Sequence, residues 1–238
     1  MSERLSQGAG RSATFVLPLW LRVGFWACIV VAVAAVLRRA FALAYHPQAP
    51  TPRLAALDEV FASHPALTLA HILPALAFVL ISPFFILRNS AETAWPDYLL
   101  FPLGGAVGVT AYAMSIYSIG GWLERSAVLL FDTLFLFSLL SACWHMRRNE
   151  LEQKRRWMTR AIAILLGIAT TRPVMGIFFA TSRLTHLEPQ QFFGIAFWIG
   201  FSLNAAIVEF WLHAQHRRST MQEGRTDGNA ETRNATAC

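Results

Sequence analysis

MTRAIAILLGIATTRPVMGIFFA, residues 158–180, is an apolar run of 23 residues whose charges are Arg160 and Arg172. The hydrocarbon core of a bilayer is about 30 Å thick and takes about 20 helical residues to cross, so this stretch reads as a membrane span. Runs of similar length and apolarity recur at Val16–Val36, Leu67–Leu87, Leu99–Ile119, Ala127–Met146 and Phe192–Leu212. The expected fold class is therefore an all-α membrane bundle of six transmembrane helices.

The whole-chain figures agree. Of 238 residues, 55% are hydrophobic and 14% charged, against about 25% charged in ordinary soluble domains. Six spans of about 21 residues leave room for loops and tails but for no second folded domain. The chain divides into a polar tail at 1–13, a membrane domain at 14–213 and a polar tail at 214–238, both tails expected to be disordered. With the N-terminus inside, thirteen Lys and Arg fall on the inner side and five on the outer. That asymmetry places both termini in the cytoplasm. It also accounts for the net charge of +6 without a nucleic-acid partner. A signal-peptide core spans about 7–15 residues, so the longer first run is expected to be a retained helix.

The three cysteines, Cys28, Cys143 and Cys238, form no CxxC or metal-spaced pair, which gives no support to a disulfide framework or a zinc site. No nucleophile elbow or phosphate loop is present, so neither a hydrolase nor a kinase is expected and no catalytic residue is assigned. Gly104, Gly108, Ala111 and Ser115 put small residues on one face of the third span, where a neighbouring helix can approach closely. Gly120-Gly121 is expected to end that helix. Leu54–Ala62 is a short amphipathic stretch that reads equally as a surface helix or an irregular loop. The basic segment Arg147–Arg156 is expected to hold anionic lipid headgroups. Asn234-Ala-Thr is a glycosylation sequon by pattern only, since the tail is placed inside the cell.

Polar groups inside spans are costly there, at least about 2.5–3.5 kcal/mol for a charge at mid-membrane, and mark functional candidates. At 1.5 Å per residue, His71, Asp132 and Arg172 share one layer in the outer half of the bundle, joined by Tyr112, Ser115 and Tyr117. Asn204 on the sixth span completes the candidate pocket of His71, Tyr112, Asp132, Arg172 and Asn204. Pro173 releases the carbonyl of Ala169 and is expected to kink the fifth helix. This layer has two readings. Either Asp132 and Arg172 form an ion pair that fixes packing, or the layer is a site for a small ligand or a proton. Near the inner end, Glu209 is expected to be neutralised by Arg22 or Arg160 as a structural ion pair. No cofactor is predicted. Haem b would need two histidines on facing helices at one depth; His64 and His71 are about 10.5 Å apart along one helix, and His145 and His213 sit at the inner boundary.

Several of these residues follow an order seen elsewhere. His71 opens a helix ending in Phe84-Phe85-Ile86-Leu87-Arg88; then come Arg155-Arg156-Trp157-Met158-Thr159-Arg160, Thr171-Arg172-Pro173, and Asn204 to Glu209-Phe210-Trp211. Residues 65–213 resemble the predicted prokaryotic membrane proteins grouped as domain-of-unknown-function family 2306. The resemblance implies a multi-pass protein of a bacterial cytoplasmic (inner) membrane and brings no activity with it. Two positions depart from the pattern it implies. Lys154 stands where a histidine is usual, and Trp95-Pro96-Asp97-Tyr98 replaces an H-R-x-x-G-R-type segment. A histidine-dependent cytoplasmic activity, if relatives have one, is not expected of this chain. The remaining alternatives are a haem- or quinone-linked electron-transfer protein, with His71 as ligand or quinone partner, and a structural or assembly subunit.

Overall fold

A computed structural model describes residues 17–45, 63–87, 95–118, 120–185 and 189–236. They form six helices: α1 (Leu19–Tyr45), α2 (Pro65–Leu87), α3 (Trp95–Ser115), α4 (Gly121–Arg147), α5 (Leu151–Thr185) and α6 (Pro189–Thr236). All six are long and apolar enough to cross a membrane, and no strand occurs among the described residues. The N-terminal tail at 1–13 and the Leu54–Ala62 stretch lie outside the described residues.

Several helix ends differ from the apolar runs, because polar residues continue a helix beyond the hydrocarbon. α1 carries on through Arg38-Arg39 to Tyr45. α3 starts at Trp95, where Pro96 occupies a first-turn position that needs no N–H partner. α5 takes in Lys154, Arg155 and Arg156, so this basic segment is largely helix. α6 continues to Thr236, in place of the irregular tail expected after His213. The Gly120-Gly121 expectation is also corrected. α3 ends at Ser115, while Gly121, at φ 61°, opens α4. Asn149, at φ 57°, makes the tight turn from α4 into α5.

Each of α1 to α5 packs on the next, and α5 returns to α1, closing a five-helix ring. α6 lies outside it in the groove between α4 and α5. The small residues of α3 do the packing expected of them. A Cβ at Gly104 would come within 2.8 Å of Leu139, and one at Gly108 would collide with Leu136. Phe78 and Phe135 meet edge to face below them, with ring centroids 5.9 Å apart. Pro83 releases the carbonyl of Val79, and the Ser82 hydroxyl donates to it at 2.8 Å. α5 passes through Pro173 as a single helix.

Candidate functional site

Helices α1 to α5 surround a cavity of about 490 Å³, which α6 reaches with Phe197 and Phe201. That volume lies in the range of about 300–1,000 Å³ typical of small-molecule sites. The lining is graded along the helices. At one end stand Arg38 and Arg39 from α1, His64 just before α2, Tyr117 and Ser118 after α3, and Glu124 from α4. At the other end the walls are apolar, with Ala75, Val79, Val107, Phe135, Ile164 and Leu165.

His71, Asp132 and Arg172 all line this one cavity, between its two ends. Their relative depths follow from helix contacts. Phe131 stacks on Phe201 at 5.2 Å, and Gly200 abuts Thr171. These contacts set Asp132 about one helical turn, roughly 5 Å, further in than Arg172. Tyr112 bonds Thr133 of α4, and His71 bonds Thr110 of α3, so His71 lies close to the depth of Asp132.

The ion pair that would fix packing is not formed. No contact joins Asp132 to Arg172 among the described residues. Instead, Arg172 is an exposed residue that lines the cavity, where Arg38 repels it and Glu124 attracts it. No hydrogen bond holds its guanidinium among the described residues. Asp132 is 8% exposed, and its Oδ2 is buried without a hydrogen-bond partner. Leaving such a group unpaired costs about 1–3 kcal/mol, and a folded protein carries that cost where function uses the group. Asp132→Leu is therefore expected to stabilise the detergent-solubilised protein by about 1 kcal/mol or more, read as a raised thermal midpoint. A lowered midpoint would mean that the carboxyl has a structural partner.

His71 is held from behind. Its Nδ1 is 3.0 Å from the Thr110 hydroxyl, which itself donates to the Ala106 carbonyl at 2.7 Å. With that proton committed, Nδ1–H is the donor in the pair, and Nε2 is the nitrogen left for a ligand. Glu124 accepts from the Gly120 backbone N–H, which fixes the start of α4.

Two predicted pocket residues are elsewhere. The Tyr112 hydroxyl pairs with Thr133 at 2.6 Å, outside the cavity lining. The Asn204 carbonyl accepts from Thr170 at 2.9 Å and its amide donates to the Ala163 carbonyl at 3.3 Å, tying α6 to α5. Both are spent on helix–helix packing. Arg38, Arg39, His64 and Glu124 were not foreseen in the site. Their signal was the helical character of the flanking residues, masked because charges at span ends also serve topology.

At the opposite end, Glu209 accepts from Arg160 through both Nε and Nη2, the second at 3.1 Å, and Trp157 lies under the guanidinium at 4.5 Å. Arg22 is not part of this pair. Leu21 takes the inward position against Trp211 and Leu212, and the next residue, turned about 100° around the helix, is exposed. His145 and His213 are engaged locally, with Glu150 at 2.6 Å and the Glu209 carbonyl at 2.8 Å. Of the basic segment, Lys154 pairs with Asp97, Arg155 donates to the Ile86 carbonyl and Arg156 pairs with Glu152. No group of three or more His, Cys, Asp or Glu arranged to hold a metal occurs among the described residues.

A family model described as a predicted membrane protein (DUF2306) matches residues 68–212. No curated protein and no solved structure matches the chain.

Proposed function

The chain belongs to the DUF2306 family of predicted membrane proteins, and from that premise we propose that its helical ring binds a small ligand in the cavity between α1 and α5. The observation that carries this reading is that Arg172 and Asp132 line one cavity, with no hydrogen-bond acceptor for the guanidinium among the described residues and Asp132 Oδ2 buried without a partner. An intramembrane guanidinium without a hydrogen-bond acceptor is costly unless something from outside supplies one. A ligand fits this better than a proton alone, since a space of about 490 Å³ far exceeds what a single file of water needs. Arg172 holds the ligand's acceptor group, and Asp132 and His71 offer hydrogen bonds deeper in.

The test is mass spectrometry of small molecules that co-purify with the protein in mild detergent. A molecule present with the wild type and missing from both Arg172→Ala and the cavity-filling Ala111→Trp is expected. Identical small-molecule content in all three would overturn the proposal.

A further inference from the structure

The order of groups along the cavity identifies the class of ligand. We infer that the occupant is a single-chain amphiphile with an anionic head and a hydroxyl two or three carbon atoms behind it. The inference rests on the ligand-binding reading above and names what that site takes.

Three observations carry it. First, the guanidiniums are grouped at one end. Arg38, Arg39 and Arg172 border the cavity there, with Glu124 beside them. Arg172 has no hydrogen-bond acceptor among the described residues. A guanidinium presents a planar fork of donors that suits a carboxylate or phosphate, so the head is anionic.

Second, the next polar group inward is an acceptor. Asp132 lines the cavity about one turn, roughly 5 Å, below Arg172. A ligand hydroxyl at that depth donates to the carboxyl. His71, fixed through Nδ1 by Thr110, offers Nε2 near the same depth.

Third, what lies below is apolar. Beyond His71 the lining is Ala75, Val79, Val107, Phe135, Ile164 and Leu165. On α4 alone the lining runs from Glu124 to Phe135, about 16 Å of helix. A space elongated along the helix axes receives an extended hydrocarbon chain, and burying that chain contributes about 0.8 kcal/mol per CH₂. β-Hydroxy fatty acids and lysophosphatidates share this arrangement of head, hydroxyl and tail.

Competition against labelled β-hydroxypalmitate, bound to full-length protein in detergent, tests the inference. Unlabelled β-hydroxypalmitate and oleoyl lysophosphatidate are expected to displace it. Whichever does so at lower concentration identifies the head as carboxylate or phosphate. Palmitate, lacking the hydroxyl, should compete about tenfold more weakly, and hexadecanol and inorganic phosphate should not compete. Asp132→Ala should erase the difference between palmitate and its hydroxylated form, and Arg172→Met should erase the preference for the acids over hexadecanol. The wild-type series decides the matter even where a variant fails to fold. Palmitate matching β-hydroxypalmitate, or hexadecanol matching palmitate, would overturn the inferred class and leave the ligand-binding reading standing. Label that is not retained specifically, or retention that Ala111→Trp leaves unchanged, would overturn the class. A co-purifying molecule lost from both Arg172→Ala and Ala111→Trp would still uphold ligand binding in that case.

Discussion

Lys154→Ala is expected to destabilise the protein by about 3 kcal/mol, read as a large fall in the denaturation midpoint in detergent. Lys154 and Asp97 meet at 2.7 Å with their side chains only 13% and 11% exposed, and Asp97 Oδ1 has no hydrogen-bond partner. Removing one member of a buried pair strands the other charge, at a typical cost of about 3–5 kcal/mol. The residual exposure of both ions puts this pair at the low end. The pair itself contributes little beyond neutralisation, so Asp97→Leu with Lys154→Met should come within about 1 kcal/mol of the wild type. A double variant as unstable as the single one would show that the lysine works through some other contact. The pair also joins two segments that the sequence gives no reason to connect. Lys154 and Asp97 lie far apart in the sequence, yet they face each other across α5 and α3. Together they make one ion pair.

The six helices were legible because lipid imposes a length on every apolar run, and no soluble-protein alternative competes for stretches of about 20 residues. Their ends were not, because Arg38-Arg39 and Lys154–Arg156 are good helix formers whose charge gives no sign of where hydrogen bonding stops. His71, Asp132 and Arg172 were legible as members of one layer because each interrupts an apolar run, and depth follows from counting residues. The same counting could not foresee which polar residues are absorbed locally. Tyr112 is satisfied by Thr133 and Asn204 by Thr170, partners on neighbouring helices that are too common in sequence to single out. Nor could it separate Arg160 from Arg22 as the partner of Glu209, since both have the right depth and only rotation about the helix distinguishes them. The expected Asp132–Arg172 pair failed for a related reason. A shared layer does not fix which side of a cavity each group lies on, and Glu124, from the first turn of α4, is the carboxylate that acts on Arg172.

Gly200→Ala is expected to be at least as damaging as loss of the ion pair, and it tests how the site is held. A Cβ at this position would lie 2.5 Å from Cγ2 of Thr171, 2.8 Å from its backbone nitrogen and 3.0 Å from its Cα. A clash with a flexible side-chain end is relieved by rotation, but two of these atoms are backbone, so α5 and α6 must move apart. Overpacking of this kind costs about 1–3 kcal/mol when side chains can yield, and here about 3 kcal/mol or more is expected. Gly105→Ala is the matched control. It lies in α3, and an added Cβ meets nothing within 4 Å, so helix propensity alone should stabilise it by up to about 1 kcal/mol. Equal losses from the two substitutions would mean that α5 and α6 are not in this close contact. The contact matters for the cavity because Thr171 seats against α6, and the following residue is rotated about 100° around α5. That rotation places Arg172 on the same face as Ile168 and Met175, which also line the cavity. A Gly200→Ala protein that still folds should therefore lose ligand retention along with stability, because pushing Thr171 off its seat turns the guanidinium away from the anion it is proposed to bind.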